Sequence, residues 1–264
     1  MKGTILLPPR TQLFTVQQAI DIALQSFRAS RLDEAQGILL KVVNVEPKHS
    51  FAHNLLGIIA YQMGEWKNAV VFYQLAVKQN PDYAEAYGNL ALALIPLSRL
   101  AEAEQSCQMA LKLNPTSFET HNTMGMVLDG LGRTEEAEQS YANAIRINGA
   151  DPDAYSNMAN LLVENGRKAD AERYLRQYIE LAPGDTLALN NLATLLIQMD
   201  RGDEAISILE ELCRLDPEDI HGQSLRLAYL GAAPPPKSQS SRYLNNLYKK
   251  RAANWDKKVD EKPY

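Results

Sequence analysis

Cysteine is scarce in this 264-residue chain: there are two, Cys107 and Cys213, in no metal-ligand or disulfide spacing. A reduced compartment is the natural reading of that usage. No apolar run approaches the roughly 18–20 residues that a membrane-spanning helix needs. The opening "MKGTILLPPR" has one lysine and too short an apolar stretch, ended by two prolines, to serve as a signal-peptide core. A soluble cytoplasmic protein is therefore expected. Aromatic residues make up only 7%, and no glycine-rich loop follows a strand-like run. The glycines of "GMVLDGLG", residues 125–132, lie in a helical pattern and do not form a phosphate loop. His49 and His53 are four apart but lack a third ligand nearby, so no metal site is expected. No catalytic constellation is present, and Cys107 and Cys213 fall on core-facing places of helices.

What the sequence does have is a period of thirty-four. Pro47, Pro81, Pro115, Pro183 and Pro217 lie on that lattice, with Gly149 in the remaining place. Ala23, Gly57, Ala91, Gly125, Ala159 and Ala193 form a second series, and Ala35, Ala69, Ala103, Ala137, Ala171 and Ala205 a third. Within each unit apolar residues recur at three and four positions, the mark of two amphipathic helices. The small residue at the eighth place and the alanine at the twentieth let the two helices approach closely. Gly64, Gly132 and Gly166 suit the turn between them, where a left-handed backbone is needed. The proline stops the second helix. One such hairpin cannot bury its apolar face alone, so stacking is expected. Tyr73, Tyr141, Tyr155 and Met124 are read as core.

The pattern resembles the tetratricopeptide repeat. The resemblance covers residues 16–219 as six repeats, beginning near Val16, Ser50, Ala84, Phe118, Pro152 and Thr186. It implies an all-α, right-handed superhelical solenoid without a sheet. Residues 1–15 are then an N-terminal extension, 220–230 a capping helix, 231–241 a Pro/Ser linker and 242–264 a basic amphipathic helix. Ser30 and Asp200 replace the turn glycine in the first and sixth repeats, and Pro96 should end or kink its helix early.

The family resemblance also implies a concave groove lined by the first helices. Its lining falls on Phe51, Asn54, Ile58 and Tyr61, then on Glu85, Asn89, Leu92 and Ile95. Further along it takes Glu119, Asn122, Met126 and Asp129, then Asp153, Asn157, Asn160 and Val163, and last Asn190, Asn191, Thr194 and Ile197. Asparagine recurs in five successive repeats, and its amide can both donate to and accept from a peptide backbone. This is similar to the asparagine ladder of glycosyltransferases that carry such repeats, although here the register mixes fifth and sixth places. The alternative is that these asparagines only cap or hydrate the helix surface. Glu85, Glu119, Asp129 and Asp153 either favour a basic ligand or form only a solvated face, and the lack of clustered Lys/Arg disfavours a groove for a C-terminal carboxylate. The expected function is a protein-interaction scaffold that takes an extended or basic segment, with a protein or peptide as partner and no nucleic acid.

The tail differs in charge. Residues 237–264 hold eight Lys/Arg against three Asp/Glu, a balance of +5, so the other 236 residues carry −10. Leu244, Tyr248, Ala252, Trp255 and Val259 recur at helical spacing, with Leu247 beside them. Such a stripe is expected to dock through Leu244, Tyr248 and Trp255 on a solenoid surface, its own or that of a second copy, the latter giving self-association. An anionic membrane is another surface for it. Tyr243, Leu247, Tyr248, Ala252, Trp255, Asp256 and Tyr264 also resemble the opening helix of S-adenosylmethionine-dependent methyltransferase domains, with Lys249 and Arg251 departing from the pattern. That resemblance implies the recognition arm of a methyltransferase. No glycine-rich cofactor turn follows in these 264 residues, so the chain itself is expected to bind no cofactor and to be no enzyme.

Overall fold

The computed structural model describes residues 4–6, 13–220 and 222–234. The expected linker from residue 235 onward and the tail helix, with Leu244, Tyr248 and Trp255, lie outside the described residues. Two compact units divide at Gly149.

In the first unit a two-stranded antiparallel ladder precedes the helices. It joins β1 (Thr4–Leu6) to β2 (Leu13–Thr15), with Ile5 opposite Phe14. The expected N-terminal extension thus contains paired strands, and buried Ile5 packs with the first hairpin. Thr15 then starts α1 (Val16–Arg28) with a reciprocal capping box: its hydroxyl accepts from the Gln18 N–H while its own N–H donates to Gln18 Oε1. There follow α2 (Leu32–Val45), α3 (Ser50–Gln62), α4 (Trp66–Gln79), α5 (Ala84–Leu94), α6 (Leu100–Leu113), α7 (Phe118–Gly130) and α8 (Thr134–Ile147). Each odd helix packs on the next even one, and each even helix on the following odd one. The second unit repeats the scheme with α9 (Pro152–Glu164), α10 (Lys168–Leu181), α11 (Thr186–Gln198) and α12 (Gly202–Leu215), and ends in α13 (Gln223–Tyr229).

The third lattice of alanines is buried without remainder: Ala35, Ala69, Ala103, Ala137, Ala171 and Ala205 expose no surface. The second lattice pairs by size with a residue sixteen positions later. Gly57 faces Tyr73 and Gly125 faces Tyr141, and a Cβ on either glycine would sit 2.5 Å from the ring. Where the small residue is alanine, the residue sixteen later is Leu39, Cys107, Leu175 or Leu209. A ring needs the room of a missing methyl; a leucine or cysteine does not.

The turn inside each of the six hairpins places one residue in the left-handed region: Ser30, Gly64, Ser98, Gly132, Gly166 and Asp200. The N–H that follows reaches back five residues, as from Arg133 to the Leu128 carbonyl, and satisfies a carbonyl orphaned at the helix end. In five of the six repeats that next residue is arginine, bonded to an acid three positions on, as in Arg99–Glu102 and Arg167–Asp170. Pro96 ends α5 at Leu94, and a short 3-10 turn (Ile95–Leu97) completes the hairpin. A left-handed backbone costs an L-residue roughly 1–2 kcal/mol. Ser98→Gly is therefore expected to raise stability by about 0.5–1 kcal/mol after the entropy of glycine is deducted. A shift of the urea midpoint to lower concentration would contradict this.

Candidate functional site

The first helices α3, α5 and α7 lie side by side in the first unit. Between α5 and α7 runs a cleft of about 440 Å³, lined by Glu85, Gly88, Asn89, Leu92, Ser117, Glu119, Thr120 and Thr123 among others. Four of these, Glu85, Asn89, Leu92 and Glu119, are groove residues expected from the repeat register. Gly88 stands where the neighbouring repeats carry Asn54 and Asn122. A Cβ there would come within 3.1 Å of Thr120 Oγ1. Mid-helix glycine costs about 1 kcal/mol relative to alanine, and here it opens the cleft.

Asn54 is corrected by the structure. It was expected to present a free amide to a ligand, but it is 1% exposed. Its Nδ2 donates to the Tyr83 hydroxyl and to Glu85 Oε1, both at 3.2 Å, and its Oδ1 accepts from Asn89 Nδ2 at 3.1 Å. The amide joins two successive repeats because a buried polar group must be satisfied inside the protein. Asn89 spends one of its two N–H donors on this bond, which leaves its carbonyl oxygen and its second N–H for the cleft. Ser117 caps α7, accepting from the Thr120 N–H, and donates to Glu119 Oε2 at 3.0 Å. The exposed acceptors of the cleft are thus the carboxylates of Glu85 and Glu119 and the Asn89 carbonyl. Tyr83, Ser117 and Gly88 were not singled out in the sequence. Tyr83 and Ser117 close the turn before a first helix, so a lattice of turn residues would have shown them.

The remaining expected residues of this unit are placed as follows. Phe51 is 40% exposed; Ile58, Tyr61, Asn122, Met126 and Asp129 are half-buried. Burial raises the Tyr61 hydroxyl and the Asp129 carboxyl above their ordinary values. A carboxyl raised on folding gives stability that is complete below its unfolded value and lost as pH rises through the folded one. Asp129→Asn is expected to raise the thermal midpoint at pH 7 and to leave it unchanged below about pH 3.5. An equal rise at both pH values would show a packing effect instead.

In the second unit Asp153 and Asn160 are exposed, and Asn157, Asn190 and Asn191 half-buried. Asn190 does not stand open to a ligand: Arg226 of α13 donates to its Oδ1 at 2.7 Å and to Thr194 Oγ1 at 3.0 Å. Glu172 accepts from Arg201 of the next repeat and from Arg176, which holds its carboxyl below the ordinary value.

The histidine pair is structural. His49 Nδ1 accepts from the Ala52 N–H to cap α3, and His53 Nδ1 lies 3.1 Å from the His49 carbonyl. Among the described residues no cluster of three or more His, Cys, Asp or Glu is placed to hold a metal ion. Cys107 is buried, and desolvation pushes its thiol up to about 12. Cys213 is only half-buried, since it lies near the end of α12. Among the described residues no helix is long and apolar enough to cross a membrane.

Stacked hairpins with small residues at the eighth and twentieth places define an all-α tetratricopeptide-repeat solenoid. Within that class the chain belongs to the family described as the cilia and flagella-associated protein 70 C-terminal domain, whose model matches residues 15–224. No curated protein sequence matches the chain. Among solved structures it is similar to PilF of Pseudomonas aeruginosa, with 21% identity over 81% of this chain and 97% of that one, at a TM-score of 0.67. PilW, described as a widely conserved type IV pilus biogenesis factor, has 19% identity over 76% and 94%, at 0.71. YrrB, described as a TPR protein with an unusual peptide-binding site, has 18% identity over 69% and 94%, at 0.52. At such identities the likeness establishes the fold. The family match ends before the segment that resembles a methyltransferase lead-in.

Proposed function

We propose that the face of α3, α5 and α7 binds an extended, basic segment of a protein partner, with the cleft between α5 and α7 taking a lysine or arginine side chain. The observation that carries this reading is the direction of the hydrogen bonds. Asn54 spends both N–H groups and Asn89 one of its two on the neighbouring repeat, and the cleft then offers Glu85, Glu119 and the Asn89 carbonyl as acceptors against one remaining Asn89 N–H. Acceptors outnumber donors there and two of them are carboxylates, which favours a ligand that brings donors, and positive charge adds to the encounter. Leu92 supplies an apolar wall for the methylene stem of such a side chain. Peptide binding is named for YrrB, and its transfer to this chain is part of the proposal.

The test is fluorescence anisotropy with three fluorescein-labelled peptide pools: Lys/Arg-rich, neutral and acidic. The basic pool should bind, more weakly as salt rises. Glu85→Gln combined with Glu119→Gln should weaken that binding about tenfold, which corresponds to about 1.4 kcal/mol. Equal binding of the neutral pool, or no change in the double variant, refutes the reading.

A further inference from the structure

Leu92, the apolar wall of the cleft, belongs to a row. Leu24, Ile58, Leu92 and Met126 hold the ninth places of the first four repeats, on α1, α3, α5 and α7, and all four are half-buried. In α9 and α11 of the second unit the ninth places hold Asn160 and Thr194, both exposed. Those two helices still bury their eighth-place alanines, Ala159 and Ala193, without remainder. A hairpin of this protein therefore closes with a polar residue at the ninth place. The large apolar side chains of the first unit are not demanded by the hairpin. A row of them left partly open to water, on helices that lie side by side, marks a surface for a partner.

The charge beside the row says which partner. Glu85 and Glu119 are exposed and lie seven residues before Leu92 and Met126, about two turns or 10 Å along a helix. Each carboxylate is held through one oxygen: Glu85 Oε1 accepts from Asn54 and Glu119 Oε2 from Ser117. The second oxygen of each remains for a ligand. The face thus has an acidic margin near the helix starts and an apolar row two turns further on. Successive side chains of an extended chain point to opposite sides. A base directed to the acidic margin places the residues before and after it over the apolar row.

We propose that the segment bound on this face alternates basic with large apolar residues, its apolar side chains resting on Ile58, Leu92 and Met126 while its bases meet Glu85 and Glu119. The proposal rests on the reading of the cleft as a site for a basic segment and adds what stands beside the base. A segment that is merely basic satisfies the carboxylates and leaves the row in water.

Fluorescence anisotropy tests it with labelled peptides of equal length and lysine content. In one, lysine alternates with leucine; in another, lysine alternates with serine; in a third, the lysines and leucines form separate blocks. The alternating leucine peptide should bind at least about tenfold more tightly than either of the others, a factor that partial burial of leucine side chains supplies. Ile58→Asn combined with Met126→Thr brings in the residue types that the fifth and sixth repeats carry at the ninth place. It should reduce the preference to about twofold or less and leave the affinity of the serine peptide unchanged. Circular dichroism checks that the variant keeps its helices, and Leu92→Thr reads the same effect if it does not. Equal binding of the leucine and serine peptides to the unaltered protein overturns the proposal and leaves the cleft as a basic site. Equal binding of the alternating and block peptides overturns it as well. So does a preference that survives in the folded variant, because the leucines then rest on another surface. If no lysine peptide binds, the reading of the cleft falls and this proposal with it.

Discussion

Gly57→Ala is expected to destabilise the protein by about 1–3 kcal/mol, although alanine is the better helix former. A Cβ at Gly57 would meet the Tyr73 ring at 2.5 to 2.9 Å. That ring is 3% exposed and packed among Ala60, Ala91 and Leu94, so it has no room to retreat. The sign should reverse in a Tyr73→Leu background. There the pair becomes Ala and Leu, which the first, fifth and sixth repeats already use in Ala23–Leu39, Ala159–Leu175 and Ala193–Leu209. Adding the methyl to that variant should gain up to about 1 kcal/mol of helix propensity. Urea denaturation of the four proteins of the cycle measures the coupling directly. The same cycle at Gly125 and Tyr141 should behave alike, the clash there being 2.5 Å. Additive effects in both cycles would show that the size pairing does not govern the hairpin.

Leu209→Ala is expected to cost about 2–5 kcal/mol, the range for truncating a large core side chain. Leu209 is fully buried between α11 and α13, in one cluster with Leu189, Ala193, Leu212 and Leu227. In a stacked-repeat protein each hairpin contacts only its neighbours, so damage stays local. Exchange protection should fall first in α11–α13, and α3–α6 should keep theirs. Leu39→Ala, fully buried in the first hairpin, should produce the mirror result, with α1 and α2 losing protection first. Uniform loss along the chain in either variant would mean that the repeats unfold as one cooperative block.

The sequence by itself determined the repeat. A period kept by prolines, small residues and alanines prescribes two helices, a tight turn and a close approach. Each prescription is local: proline lacks an N–H, glycine tolerates a left-handed turn, and alanine clears space for a neighbour. For the same reason the effect of Pro96 was legible, and Ser98 could be placed in a left-handed turn by register alone once the lattice was laid over it. The tertiary structure decided what the side chains do between repeats. Asn54 and Asn89 look equivalent as letters in a groove register, yet one is buried and saturated while the other lines a cleft. Asn190 likewise reads as open until Arg226, thirty-six residues later, is seen to bond it. A side chain's free valence depends on which partners from adjacent hairpins reach it, and those distances arise only when the hairpins stack. The cleft has the same origin: Gly88 reads as a weak helix residue in sequence, and only the approach of Thr120 from the next repeat makes its missing Cβ part of the cleft wall.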